Sequence, residues 1–234
     1  MKITFFKKIV ATILLTPSLA LADYQVVSSK NTPGAIYGYF DQFIKRDGYS
    51  VAYNYETKNP DWVAYHLDGD DVKETRKRKD SFREDKDVPS QYRSSLSDYK
   101  RSGYDRGHMA PNAALDHSES TQRETFLLSN IVPQLPGHNR KVWKNLEEIV
   151  RTYAIDMGSL YVVTGVIYDE TPEYIGDQVE IPDAFYKILY SPTNDEIITF
   201  KIPHVKFEYN DISAYFSTLE EIEQATGYDF FFED

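Results

Sequence analysis

Apolar and polar residues alternate over residues 50–56 and again over 61–67, with Lys58-Asn59-Pro60 breaking the pattern between them. A period of two is the mark of a half-buried strand, so the two runs read as a β-hairpin. Residues 159–168, 184–190 and 196–202 are rich in β-branched and aromatic side chains and predict three more strands. One segment has another period. Val142, Leu146, Ile149 and Tyr153 recur at helical spacing with Trp143 and Val150 alongside, so residues 139–156 predict the main helix, ended by Gly158. Ser217-Thr218-Leu219-Glu220 resembles a capping box, opening a short helix that Gly227 closes. A short strand is expected within 103–108, and another crosses the core within 125–132 until Pro133 stops it.

Many strands with few helices, in no regular alternation, point to an α+β fold whose largely antiparallel central sheet is flanked by helices. Asn31-Thr32-Pro33-Gly34 marks a turn. Residues 68–100 are polar, charged and without period; a loop that long in a compact domain is usually functional. There is no internal repeat and no low-complexity linker.

The first residues have the makeup of a processing signal. Lys2, Lys7 and Lys8 precede a short apolar run at 9–15, and Ala20-Leu21-Ala22 supplies the small residues of a cleavage site. The expectation is a signal peptide over 1–22, one domain over 23–234, export to the periplasm or the medium, and no membrane anchor after processing. Cysteine is absent, so packing alone must hold the fold.

The formal charge is −11. Removing residues 1–22 takes three lysines and no acid, leaving 23 basic against 37 acidic residues, or −14. An acidic chain is an awkward partner for a polyanion. Its charges are unevenly spread, however: residues 73–106 hold 11 basic and 7 acidic side chains, whereas residues 165–234 hold 16 acids and three lysines. The local field near residues 104–113 can therefore be positive.

That stretch, Tyr104-Asp105-Arg106-Gly107-His108-Met109-Ala110-Pro111-Asn112-Ala113, carries the densest chemistry. A histidine near neutrality can take a proton from water. Arg106, two positions earlier on an extended backbone, projects to the same side as His108, and Gly107 between them permits close approach of a ligand. Asn139 is either a hard oxygen donor for Mg²⁺ or a helix N-cap. Glu147 lies about two turns further on and displaced by roughly 80°, either facing the site or solvated. Arg151 follows at i+4, within reach of Glu147 or of phosphate. Arg76-Lys77-Arg78-Lys79 is solvated surface or a source of a phosphate-neutralising guanidinium. Base, cation and metal donor together are what in-line attack on a phosphodiester requires.

These motifs resemble the DNA/RNA non-specific endonuclease family, the ββα-metal finger nucleases that include endonuclease G-like and secreted bacterial enzymes. The signature Asp-Arg-Gly-His to Ala-Pro reads Asp105 to Pro111, with Ala113 beyond it; Asn-x-x-Pro-Gln reads Asn130 to Gln134. The helix motif is Asn139, Trp143, Leu146 and Glu147, and the upstream stretch is Arg76, Arg78, Phe82, Arg83 and Asp85. The resemblance runs from about Tyr53 to Phe231. It implies a ββα-metal finger active site that hydrolyses DNA and RNA, with Mg²⁺, or another divalent ion such as Mn²⁺, as cofactor. It also implies roles: His108 as general base, Asn139 as sole direct protein ligand of the ion, Glu147 holding water on it, and Arg78 stabilising the transition state. Arg106 and Arg151 support phosphate binding, Asn130 gives polar positioning, and Arg76 is a further substrate contact. Two other readings remain: a non-catalytic nucleic-acid- or partner-binding module on the same fold, and a zinc hydrolase built on His108, His117 and His138.

Overall fold

The computed structural model describes residues 24–72, 76–207 and 211–232; the expected signal peptide over 1–22 lies outside the described residues. Six antiparallel strands form the main sheet, in the order Glu196–Pro203, Ala184–Ser191, Ser159–Ile167, Asn59–Asp68, Tyr49–Asn54 and Gln42–Lys45. The expected α+β architecture is therefore present, and so is each strand read from residues 159–202.

The centre of the sheet is buried on both faces. Along Asn59–Asp68, Val63, Tyr65 and Leu67 join one apolar cluster while Trp62 and Ala64 join the opposite one. The first cluster lies under the helix Lys144–Met157, which contributes Leu146, Val150 and Ala154 at its predicted spacing. Gly158, at φ +85°, ends that helix and returns the chain directly into a central strand. The second cluster is covered by a three-stranded sheet of Gln25–Val27, Ala35–Gly38 and Asp229–Phe232 and by the helix Leu219–Thr226. Its cap is Thr218 paired with Glu221, one residue beyond the predicted box.

Three local expectations are corrected. The first hairpin turns at residues 55–58, where Lys58 adopts φ +54°, so Asn59 and Pro60 belong to the second strand rather than to a break. A register shift at Ala52 and Tyr53 lies opposite this proline. Residues 125–130 are not a strand. They curl into a turn around Asn130, whose Nδ2 donates to the carbonyls of Thr125 and Ala110, both at 2.9 Å, while its Oδ1 accepts from Ala110 N–H at 2.8 Å. The strand that follows is Ile131–Gln134, and it runs through Pro133 instead of stopping there. It belongs to a two-stranded ribbon and needs a partner on one side only, which is where proline is tolerated.

Residues 76–95 form the expected long loop. It is tied down by Arg83, which bridges to Leu127, and by Asp85, which accepts from Ser129 Oγ and from Arg46, each at 2.5 Å.

Candidate active site

Asp105–His108 pairs antiparallel with Ile131–Gln134, Asp105 facing Gln134 and His108 facing Ile131. Four residues later the chain enters the main helix, completing a ββα unit. Gly107 is needed here for a different reason than the sequence suggested. A Cβ on it would stand 2.2 Å from Gln134 Oε1, so the glycine makes room for the Gln134 side chain rather than for a ligand. Gln134 in turn bonds His138 Nδ1 at 2.7 Å.

The helix does not begin as a plain α-helix. His138–Trp143 is a π-helical turn, and the α-helix proper follows at Lys144. Asn139 lies inside that turn with Gly137 at the cap position, so it is not the N-cap. A π turn absorbs one extra residue, which sets everything after it back by about 100°. The 80° offset expected between Asn139 and Glu147 then shrinks to roughly 20°, and the two come to one face.

A cleft of about 310 Å³ opens there, lined by His108, Arg78, Arg106, Asn139, Glu147 and Arg151, together with Arg140, Lys144 and Asn112. His108 and Asn139 thus meet in one space. Arg78 is on the wall and the exposed Arg76 is not. Asn130 is also absent from the wall; its amide reaches the cleft only through the backbone of Ala110, two residues past His108.

His108 is only 8% exposed, and its Nε2 has no hydrogen-bond partner. Its ring stands 5.2 Å from that of Phe126 and 5.3 Å from that of Phe82. On the outside of this box Arg106 lies over Phe82 at 4.4 Å and Arg78 over Phe126 at 5.3 Å. Burial first, then the positive charge of Arg78, pull the imidazole pKa down to about 3; Asp80 opposes them, and Arg106 adds a still smaller downward pull. The imidazole is neutral.

Asn139 is held by its nitrogen. Its Nδ2 donates to Asp105 Oδ2 at 3.0 Å, and the same carboxylate takes a two-pronged Arg140 at 2.8 and 2.6 Å. Asp105 thereby fixes the first strand of the ribbon to the start of the helix. The amide carbonyl is the end left for a cation.

Residues 31–233 match the DNA/RNA non-specific endonuclease model. The chain belongs to the DNA/RNA non-specific endonuclease family. It is 32% identical to Nuclease C1 of Cunninghamella echinulata var. echinulata, over 81% of this chain and 82% of that one. It is 34% identical to a nuclease of Nostoc sp., over 79% and 71%, and 30% identical to human mitochondrial endonuclease G, over 80% and 68%. A solved endonuclease G bound to its inhibitor superposes with a TM-score of 0.77 at 29% identity, covering 82% of this chain and 86% of the other.

Several groups in this non-specific endonuclease escaped the sequence reading. Phe82 was noted only as a motif position and Phe126 not at all, because an apolar side chain beside a turn gives no sign that it will wall an imidazole. Asp105 and Arg140 form an ion pair across 35 positions that no local pattern signals. Lys187 was overlooked, although a lone lysine inside an apolar strand is a visible signal.

The side chains fit a hydrated divalent ion. One oriented carboxamide oxygen with the Glu147 carboxylate further along the same helix face suits a hard cation that keeps most of its waters. Among the described residues no group of three or more His, Cys, Asp or Glu is placed to hold a metal. The three-histidine zinc site is not assembled: His138 is sealed between Gln134 and the rings of Trp143, Phe185 and His204.

The Asn130 turn carries a stability prediction. Asn130→Ala strands backbone groups of Ala110 and Thr125 in a site with no solvent access and should cost at least about 2 kcal/mol, read as a lowered urea midpoint. An unchanged midpoint would mean that the turn holds without this amide.

Proposed function

We propose that this endonuclease is an exported enzyme that hydrolyses phosphodiester bonds of both DNA and RNA to 5′-phosphate and 3′-hydroxyl ends, with Mg²⁺, or Mn²⁺ in its place, held by Asn139. The observation that carries the reading is the unpartnered Nε2 of a neutral imidazole sharing one cleft with an amide oxygen whose orientation is fixed.

His108 accepts the proton of the attacking water. In the free protein burial makes this ring a weak base. An entering phosphate brings negative charge beside Arg78 and Arg106, offsets their effect and raises the imidazole's basicity when it is needed. Arg78, Arg106 and Arg151 offer planar donors to the phosphate oxygens, and charge building on the phosphorane meets guanidinium groups already in place. Asp105 and Arg140 keep the Asn139 amide from turning. Glu147, further along the same helix face as Asn139, is the carboxylate acceptor of the cleft. The ion, when bound, supplies positive charge to the phosphate and supports the departing 3′ oxygen. Contacts of this kind reach the backbone and carry no base information, which accounts for acceptance of both nucleic acids. Export rests on the three-part leader at residues 1–22.

Residues 23–234, purified, should cut plasmid, single-stranded DNA and RNA in Mg²⁺, stop in chelator and resume when Mg²⁺ is returned. Cleavage that persists in chelator, or products ending in 3′-phosphate, would overturn this mechanism.

A further inference from the structure

Lys187 sits in the middle of the central strand Ala184–Ser191, flanked by Tyr186 and Ile188, and has no solvent exposure. Lysine is almost never fully buried unless paired. Its Nζ donates to Thr164 Oγ1 at 2.6 Å and stands 3.5 Å from Tyr65 OH; it lies 4.5 Å from the centre of the Trp143 ring. Two hydroxyls and a ring satisfy the ammonium's geometry, but they do not cancel its charge. An apolar side chain of the same length would be the cheaper core.

The helix above explains the lysine. Trp143, whose ring Lys187 touches, is four residues before Glu147 and therefore on the same face. Glu147 is the carboxylate whose charge acts on Lys187. Burial pushes the Glu147 carboxyl up and the Lys187 ammonium down, and each pulls the other back toward its charged form. The remaining charged groups facing Glu147 are Arg151 and Glu148 on its own helix and Arg78 on the loop, with the Tyr65 hydroxyl on the sheet. Among the cations Lys187 acts most strongly, and it is the one that solvent cannot screen.

We propose that Lys187 is a positioning residue of the cleft, its buried ammonium serving as the fixed counter-charge that holds Glu147 as a carboxylate from beneath. The proposal rests on the reading of the cleft as the catalytic centre. It assigns a part in the reaction to a side chain that touches neither substrate nor solvent. The arginines on the rim will be drawn toward an incoming phosphate, whereas Lys187 stays with Glu147 throughout.

The test is Lys187→Met. Without the ammonium the carboxylate form is harder to keep, so the Glu147 midpoint must rise. In metal-free protein, a carbon-13 carboxyl titration assigned to Glu147 by comparison with Glu147→Gln should move up by at least about one pH unit, and the acid limb of kcat/KM should move with it, about tenfold in rate at fixed pH on that limb. A folded Lys187→Met with both midpoints where the wild type has them would overturn the proposal, even with a lowered melting temperature, since loss of packing alone moves neither. If Lys187→Met does not fold, the reciprocal measurement decides. In Glu147→Gln the Lys187 ammonium, followed by nitrogen-15 titration, should lose its proton at lower pH than in the wild type, and an unchanged midpoint there also overturns it. The titrations need neither substrate nor ion, so a shifted midpoint in a protein that cleaves nothing would sink the functional reading and leave the pairing standing.

Discussion

His108→Ala should lower kcat on plasmid DNA by at least about 10²-fold, the scale usual for loss of a general base, with little change in the fold. Purified variant that nicks plasmid at near the wild-type rate would remove His108 from the mechanism. The same side chain makes a statement about pH. Its folded pKa of about 3 lies below the ordinary 6.5, so between those values the unfolded chain binds a proton that the folded one refuses. Whatever stability depends on the neutral ring is complete above pH 6.5 and drains away as pH falls from there toward 3. In the free protein the ring stays neutral across the neutral range, so His108 itself contributes no acid limb to kcat/KM near pH 6–7. A limb found there belongs to Glu147, whose carboxyl burial pushes upward.

Arg78→Ala is expected to cost about 10² to 10³ in kcat, the range for removing one charge-stabilising donor from a transition state, with a smaller effect on KM. Arg76→Ala should stay within a few-fold, because its side chain is exposed and outside the cleft. The sequence had little to separate the two arginines beyond their distance from Phe82. The structure sets them apart by placing Arg78 against the Phe126 ring and close enough to lower the His108 pKa. Equal losses in the two variants, or a greater loss at Arg76, would reverse the assignment. Arg78 also pairs with Asp80 at 2.7 Å, so part of its charge is already engaged until an anion competes for it.

Much of the architecture was legible because it is written in short periods. The main strands, the Lys144–Met157 helix and the long loop follow from alternation, helical spacing and the lack of either. What escaped is non-local or defies its own composition. Residues 125–132 read as one apolar strand, yet a single buried amide, Asn130, bends the first part into a turn. Pro133 looked like a stop because the ribbon's single-sidedness is invisible in sequence. The motif residues of the site were legible one by one. Their supports, Asp105 with Arg140 and the Phe82–Phe126 box, were not, since each joins segments that meet only in the folded chain.

The wide first turn at His138–Trp143 makes the spacing of the helix motif and the type of turn a matched pair. Tightening it to an ordinary α-helical turn with no residue lost would leave the helix well hydrogen-bonded and still amphipathic, while Glu147 swung by about 100° to another quadrant. Thermal stability would then report a sound protein whose two walls no longer oppose each other. Here the phase of a helix, rather than its strength, decides whether the cleft exists.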